Sequence, residues 1–429
     1  MSHSEYDSTL PHQSQTQSVV AKKDSRMKKT LTVVTLLAAG ASQAAGIAID
    51  TQGGRATGMG STGVASSKDA SSIYYNPAGI LGVRTLDIQL GDSLILGHLG
   101  FTADATGTEQ TQDPSSPPPH GYVVYKITDQ LAAGVGVFTP FGANSMWPED
   151  FVGRQIARES QVATFDINPT VAFAPMPWLR LGVGFQAVYG SLDARRQIVV
   201  PPPSPAAGAT GELALSTSTW GLGYNVGLQA DVLPGMLTLG AHFRSRVLMF
   251  LEGDADFSDF PAPVAPAFQD QDVRLDVELP ASLGLGVSFT PLQKLTLAAD
   301  VNWVQWSSVQ QLLFEFQTNP EFNQPSIKRW EDRWNFHVGG EYKVTDALAV
   351  RAGFVYDPTP SPAETLAPDL PDADRIRVSL GAGYAFSAFR VDAGYQFVSL
   401  MENRSTFTPL PGTYRGSAHV LGLTLGYSP

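Results

Sequence analysis

The feature that most constrains how this chain can fold is a regular alternation of apolar and polar side chains over most of its length. Within 295–303 every second residue is apolar and the residues between are polar or small. The same period of two recurs in 334–343, 348–357, 376–386 and 389–397. Alternate side chains of a β-strand point to opposite faces. Because each run has about the length of a tilted strand that crosses a lipid bilayer, the pattern predicts long strands with one apolar face.

The connections between these runs fall into two classes that alternate along the chain. Short turns lie near 128–130, 175–177, 233–235, 291–293, 345–346 and 387–388. Long loops, rich in Pro, Ser, Asp and Gly, span about 101–119, 143–160, 197–210, 253–270, 317–329, 358–373 and 402–412. Bacterial outer-membrane barrels have short turns at one end, long loops at the other and an even number of strands. The connections therefore predict an all-β, multi-pass transmembrane antiparallel barrel of about fourteen strands.

A soluble β-sandwich would also alternate, but its loops need not separate into short and long sets. Charged residues make up 16% of the chain, against roughly 25% in typical soluble domains. The mean hydropathy of −0.04 argues against a helical membrane protein, which needs repeated apolar runs of about 20 residues. Only a closed barrel satisfies the backbone groups of every strand within lipid. These observations favour the barrel.

Composition also excludes several functions. The 429 residues include no cysteine, which excludes disulfides, thiolate metal sites and cysteine catalysis. The net charge of −12 argues against a nucleic-acid-binding surface. The seven histidines are scattered, and neither H-E-x-x-H nor G-x-S-x-G occurs. We therefore predict that the protein is not an enzyme and has no catalytic residues, no cofactor and no metal; an outer-membrane hydrolase whose site is assembled from distant strands is the alternative.

The start of the chain has the pattern of an export signal. Residues 1–26 are polar and without pattern, so we predict a mis-assigned upstream start with Met27 as the initiator; a long n-region is the alternative. Residues 27–44 combine two lysines, a short apolar run and small residues before a cleavage site. This layout is typical of a secretory signal peptide. The mature chain is then expected to start at Ala45.

Residues 45–82 are small, rich in Gly and Ser, and do not alternate. We predict that this segment, called the hatch below, folds as a plug inside a barrel formed by residues 83–429; a disordered periplasmic tail is the alternative. Within it, 58–63 matches the G-x-G-x-x-G dinucleotide pattern. No strand-turn-helix context surrounds the match, so we interpret these glycines as a source of backbone flexibility.

Several short motifs, taken in order, resemble the FadL/TodX family of outer-membrane transporters of long-chain fatty acids and hydrocarbons. They are GRATGMG at 54–60, DASSIYYNPAG at 69–79, TPFG at 139–142, INP at 167–169, PASLGLG at 280–286, QWS at 305–307, YDP at 356–358 and PDADR at 371–375. The resemblance covers nearly all of the mature chain. The Asn-Pro-Ala part of the second motif is less specific, because similar sequences open other barrels, including those serving protein secretion.

This resemblance implies passive uptake of hydrophobic compounds through a fourteen-stranded barrel plugged by its hatch. Ligand would be captured in an outer groove, pass to an inner pocket and leave sideways at an inward kink of the third strand. The implied partners are long-chain fatty acids or aromatic hydrocarbons, with outer-membrane lipid and lipopolysaccharide around a monomer. A secretion-accessory or structural barrel is the alternative, and it needs neither the kink nor the pocket.

The resemblance and the residue chemistry together assign candidate roles. The hatch motif is Asn76, Pro77 and Ala78, and the lateral-exit kink is Pro140, Phe141 and Gly142. Proline removes a ladder donor and glycine tolerates a bend; a strand that simply ends there is the alternative. The ligand pocket is assigned to Ile47, Ile49, Arg195 and Arg196, the arginines as partners for a carboxylate or as solvated loop-base charges. The outer groove is assigned to Met146, Trp147 and Phe151.

Overall fold

A computed structural model of the protein describes residues 46–429, so residues 1–26, the signal segment 27–44 and the expected mature start Ala45 lie outside the described residues. The strands are β1 (Leu86–Ala103), β2 (Glu109–Gln112), β3 (Ser115–Ser116), β4 (Pro119–Thr128), β5 (Leu131–Phe138), β6 (Gly142–Met146), β7 (Glu159–Met176), β8 (Leu179–Val199), β9 (Thr210–Leu233), β10 (Leu237–Arg244), β11 (Val247–Ser258), β12 (Gln271–Leu279), β13 (Ser282–Leu292), β14 (Leu295–Val304), β15 (Gln311–Phe316), β16 (Pro325–Ile327), β17 (Arg333–Lys343), β18 (Leu348–Asp357), β19 (Arg375–Phe386), β20 (Phe389–Ser405) and β21 (Gly412–Tyr427).

Helical structure in the described chain is short. The α-helices are α1 (Gly54–Gly58) and α2 (Ser72–Tyr75), and 3₁₀ turns cover Pro77–Gly82, Ala265–Ala267, Trp306–Ser308 and Pro320–Phe322. Among residues 46–429, none of the helices has the length and apolar character needed to cross a membrane.

The strands form a closed antiparallel barrel of fourteen strands, as predicted. Each barrel strand pairs with its neighbours along the chain, and β1 pairs with β21 from Ile88–Tyr427 to Ala103–Gly412, which closes the wall. Some barrel strands are built from more than one element. The second contains β2, β3 and β4; the third β5 and β6; the seventh β10 and β11; the eighth β12 and β13; the ninth β14 and β15; and the tenth β16 and β17.

The distribution of side chains is inverted relative to a water-soluble protein. Large apolar residues face outward, as Leu90 does with 67% of its surface exposed, while polar residues such as Gln229 and Gln396 are fully buried inside. A soluble sandwich would bury its apolar face, so the sandwich alternative is excluded. An apolar exterior and a polar interior are the pattern of a barrel that lies in lipid.

The strands extend further than the sequence pattern indicated. β8 and β9 run for 21 and 24 residues, and β15 and β16 form a hairpin that reaches into the predicted 317–329 loop. The third strand does not end at Gly142, because it resumes there as β6. These extensions depend on pairing with a neighbouring strand, which a local pattern of apolar residues does not report.

The described part of the hatch, residues 46–82, packs against the inner wall of the barrel. The division at residue 82 stays a prediction; the last 3₁₀ turn of this segment ends at Gly82 and β1 begins at Leu86. Gly60 has a φ of +62°, and a Cβ there would lie 3.0 Å from the backbone nitrogen of Phe354. A Cβ on Gly58 would lie 2.8 Å from the Cα of Gly381. The glycines of the G-x-G-x-x-G pattern therefore allow close approach of the hatch backbone to the wall.

Candidate functional site

The third barrel strand is interrupted between β5 and β6. From Phe138 to Gly142 it contains one residue more than the facing segment of β7, which makes a β-bulge. The backbone N–H of Phe141 donates to the hydroxyl of Thr164 at 2.9 Å, and that hydroxyl donates to the carbonyl of Phe141 at 2.7 Å. A β7 side chain thus replaces ladder bonds at the interruption.

The start of the hatch pairs with this interruption from inside the barrel. The N–H of Ile49 donates to the carbonyl of Pro140, and the N–H of Gly142 donates to the carbonyl of Ile47, both at 2.8 Å. Phe141 also forms an antiparallel bridge with the residue between the two isoleucines. The structure therefore brings together two groups of residues that the sequence analysis had assigned separately, to the kink and to the pocket.

Above the interruption, the second and third barrel strands are not joined by a ladder. Their pairing covers Gly121–Val137 to Thr128–Leu131, and in the described chain β6 pairs with β7 alone. We call the boundary between residues 109–118 and β6 the seam. Residues 114, 117 and 118 on the second strand are prolines, and proline has no N–H to donate to a neighbouring strand. These prolines reduce the number of backbone donors that this segment can offer to a neighbouring strand.

A groove of about 320 Å³ lies between the outer parts of β7, β8, β9 and β15. Its walls are mostly apolar, and they include Ile156, Val162, Leu192, Leu213, Phe314 and Phe322. Arg195 and Arg196 also line it. The groove offers a large apolar surface with cationic groups at one side.

The two arginines lie on opposite faces of β8, since they are adjacent in a strand. Arg195 is paired with Glu159 at 3.6 Å and with Glu212 at 3.2 Å. Arg196 pairs across the sheet with Leu213 and so shares the inner face. Among residues 46–429, no ion pair or hydrogen bond engages its guanidinium. Of the two arginines, Arg196 is therefore the one without an ion-pair partner among the described residues.

A smaller cavity of about 50 Å³, here called the inner pocket, continues from the groove toward the hatch. It is bounded by Ile47, Met249, Leu251, Leu279, Val309 and Trp330. Val162, Leu192, Leu312 and Leu370 line both spaces. Ile47 thus faces the inner pocket. Ile49 is buried beside the interruption and does not line that pocket.

Met146, Trp147 and Phe151, assigned above to an outer groove, lie at the end of β6 and in the loop that follows it, and that assignment stays a prediction. Phe151 is fully buried, and its ring stacks on Trp147 with 4.3 Å between centroids. The Trp147 indole N–H donates to the carbonyl of Pro368 at 2.9 Å, and Met146 is exposed. None of the three lines the groove. The groove residues of β15 were missed, although Leu312, Phe314 and Phe316 show the period of two just before a loop.

The hatch motif makes contacts that fix it to the wall. The Asn76 amide donates to the carbonyls of Val64 at 2.7 Å and Leu228 at 2.9 Å. Its side-chain oxygen accepts from the N–H of Ala78 at 3.1 Å and so caps the 3₁₀ turn that begins at Pro77. This asparagine links two parts of the hatch to β9.

Ion pairs also join the hatch to the wall. The Asp50 carboxylate accepts two hydrogen bonds from the Arg377 guanidinium, both at 2.7 Å, and Arg55 lies 3.2 Å from Glu341. Burial raises the pKa of Asp50, but the attraction and hydrogen bonds of Arg377 outweigh burial. The net effect lowers the pKa of Asp50 from 3.8 to about 2. The pair is therefore charged at neutral pH.

This lowered pKa predicts acid resistance of the hatch. The Asp50 carboxyl has a lower pKa in the folded state, so its stabilisation is present above the unfolded value of 3.8 and is lost as the pH falls toward about 2. We expect the hatch to stay protected from protease at pH 5 and to lose protection below about pH 4. The variant Asp50→Asn should lack this particular acid step. An identical pH profile for the two proteins would contradict the assignment.

In the part of the chain that the structure describes, no three His, Asp or Glu side chains are grouped so that they could hold a metal ion. The described interior instead provides an apolar groove, an apolar inner pocket and an interrupted wall strand. This arrangement can hold an apolar ligand.

Comparisons with known proteins agree with the architecture. The family described as outer membrane protein transport protein (OMPP1/FadL/TodX) matches residues 35–428. A putative outer membrane protein of Neisseria meningitidis is 25% identical, over 88% of this chain and 91% of that protein. The long-chain fatty acid transport protein of Escherichia coli is 22% identical, over 85% and 90%.

A solved structure, a Pseudomonas aeruginosa FadL homologue, has a TM-score of 0.82 at 22% identity and covers 90% of this chain and 100% of that one. At this identity the likeness shows the fold. The family match spans the hatch and the whole barrel, and it places the protein in the outer membrane. The chain belongs to the OMPP1/FadL/TodX family of outer-membrane transport proteins, which carry hydrophobic compounds.

Proposed function

We propose that this protein takes up long-chain fatty acids passively across the outer membrane, and that it is not an enzyme. The observation that carries the proposal is the apolar groove with the unpaired Arg196 on its inner face. A fatty acid has an apolar chain and one carboxylate, and a partly buried carboxylate requires a charged hydrogen-bond partner. The groove provides both an apolar surface for the chain and a cation for the carboxylate.

The route continues from the groove to the inner pocket and then to the seam. Groove and pocket share four apolar residues, and the pocket reaches the hatch at Ile47. A cavity of about 40 Å³ continues from Ile47 to Ala143 and Pro114 on the two sides of the seam. Each methylene kept out of water along this route avoids about 0.8 kcal/mol.

We propose lateral exit at the interrupted third strand, where Pro140 and Phe141 lie outside the ladder and Gly142 resumes it. The bulge supports this proposal, as does the adjoining stretch of wall where the described second and third strands form no ladder. Ligand that leaves there enters the lipid without crossing water. The apolar exterior would contact outer-membrane lipid and lipopolysaccharide, and we propose that the protein acts as a monomer.

Substitution of Arg196 tests the carboxylate assignment. We expect Arg196→Gln to weaken binding of a long-chain fatty acid by roughly tenfold or more, because a charge-assisted hydrogen bond contributes about 1.5–3 kcal/mol. Binding of an alkane of equal length should not change. The measurement is displacement of a fluorescent fatty acid from the purified protein.

The neighbouring arginine provides a matched control. Arg195 is already paired with Glu159 and Glu212, so Arg195→Gln should change fatty acid binding much less than Arg196→Gln. Equal losses for fatty acid and alkane would remove Arg196 from the carboxylate role. Unimpaired fatty acid binding in Arg196→Gln would do the same.

Uptake of aromatic hydrocarbons by the same route is the second candidate. The aromatic side chains of Phe314, Phe316 and Phe322 in the groove wall support it, since rings pack favourably on rings. Toluene binding that exceeds fatty acid binding, and that Arg196→Gln leaves unchanged, would favour this candidate. A secretion-accessory or structural barrel is disfavoured because it requires neither the inner pocket nor the interrupted strand.

A further inference from the structure

We propose that Gln110 and Gln112 of β2 form a side-chain latch that closes the seam and sets the rate of lateral exit. This inference rests on the exit route proposed above. It assigns a transport-controlling role to two residues that lie outside the interrupted strand itself.

The two glutamines bridge the seam through both the nitrogen and the oxygen of their side-chain amides. The Gln112 amide nitrogen donates to the hydroxyl of Ser145 at 3.0 Å, and its oxygen accepts from the N–H of Met146. The Gln110 amide nitrogen donates to the carbonyl of Asp150 at 3.3 Å, and its oxygen accepts from the N–H of Val152 at 2.8 Å. Four hydrogen bonds thus run from the second strand to the third strand and its loop.

These bonds replace a ladder that the backbone does not form here. The N–H of Trp147 donates toward β7, to the carbonyl of Arg158 at 2.8 Å. Alternate N–H groups of a strand point to opposite sides, so the N–H of Met146 points toward the second strand. Gln112, only 4% exposed, satisfies it. Without this amide, a donor at the seam would have no protein partner.

A side-chain latch differs physically from a ladder. Opening a ladder breaks a row of backbone bonds and displaces strands, whereas the glutamines can release by rotation about their own side-chain bonds. Directly behind the latch lies the cavity that reaches Ile47, with Leu99, Pro114, Ala143 and Ser145 in its lining. Rotation of the glutamines would therefore connect the interior to the outside of the wall without unfolding a strand.

The absence of natural cysteine permits a direct test. In the full-length protein, Gln112→Cys with Ser145→Cys would be joined by a short, cleavable thiol cross-linker, and uptake of labelled oleate would be measured in cells. We expect cross-linking to reduce uptake to the level of cells without the protein, and cleavage of the linker to restore it.

A matched control pair lies elsewhere on the barrel wall. Gln396 donates to Ser379 at 3.4 Å, but these residues face each other within the continuous β19–β20 ladder. Cross-linking Gln396→Cys to Ser379→Cys should leave oleate uptake unchanged. Loss of uptake in this pair as well would overturn the inference, because the effect would then not be specific to the seam.

Variants without the latch test the latch independently of the exit route. The double variant Gln110→Ala, Gln112→Ala should increase initial oleate uptake by about fivefold, the factor that corresponds to a net loss of about one hydrogen bond. Gln396→Ala should not. If cross-linking blocks uptake but the double variant transports at the normal rate, lateral exit at the seam is supported, and the two glutamines do not control its rate. If cross-linking the seam has no effect, both the lateral exit and the latch are wrong.

Discussion

Deletion of residues 45–82 is expected to convert the protein into an open, unselective pore. The deletion removes the hatch from the lumen, together with the bonds that hold it there, among them the Asn76 amide bonds and the Asp50–Arg377 pair. It leaves a fourteen-stranded wall whose inner face carries polar groups such as Gln229 and Gln396. Barrels larger than about eight strands have more interior space than wall side chains fill, so water should occupy the lumen.

The measurement is single-channel current in a planar bilayer, together with the entry of a hydrophilic dye into cells. The deletion variant should show discrete open steps where the intact protein shows none. Deletion of 201–208, which lies in the loop between β8 and β9, is a matched control that should leave the current unchanged. A deletion variant that conducts no more than the intact protein would show that the hatch does not close the barrel.

The second large effect is expected from Asp50→Asn, which should release the start of the hatch. The substitution leaves the Arg377 guanidinium buried without its bidentate partner, and Asp357, at 3.6 Å, compensates only in part. Breaking a buried ion pair by removing one partner costs about 3–5 kcal/mol. We expect about 3 kcal/mol of lost hatch stability, seen as earlier protease cleavage near residue 50 and as intermittent channel opening.

An exposed pair of the same kind provides the control. Asp104 accepts two hydrogen bonds from Arg404, at 3.3 and 2.7 Å, on the surface of the protein. Because water and salt screen exposed pairs, Asp104→Asn should leave hatch protection and conductance unchanged. Equal behaviour of the two variants would contradict a special role for the Asp50 pair.

The inner pocket and the hatch ion pair are adjacent along the chain, with Ile47 in the first and Asp50 in the second. The hydrogen bonds of Ile47 and Ile49 to the third strand lie between them. A variant that loosens Asp50 should therefore also alter the inner pocket. Measuring both fatty acid binding and conductance in Asp50→Asn would show how strongly the inner pocket depends on the hatch ion pair.

The period of two along each strand and the alternation of short turns with long loops determined the barrel and its fourteen strands. These signals are local, since each depends on residues within about ten positions. The Gly-rich segment after the predicted export signal indicated the hatch in the same way. The sequence also contains three prolines at 114, 117 and 118, which are unfavourable in a strand paired on both sides.

Only the tertiary structure showed that Arg195 is ion-paired whereas Arg196, within the described chain, is not. It also showed that Trp147 and Phe151 are buried and that Ile47 faces the inner pocket. It further showed Gln112 opposite β6 and Gln110 opposite the loop that follows β6. Each of these facts depends on side chains that are distant in sequence and meet only when the barrel closes around the hatch. A charge becomes paired or unpaired through partners across the sheet, and no local pattern specifies those partners.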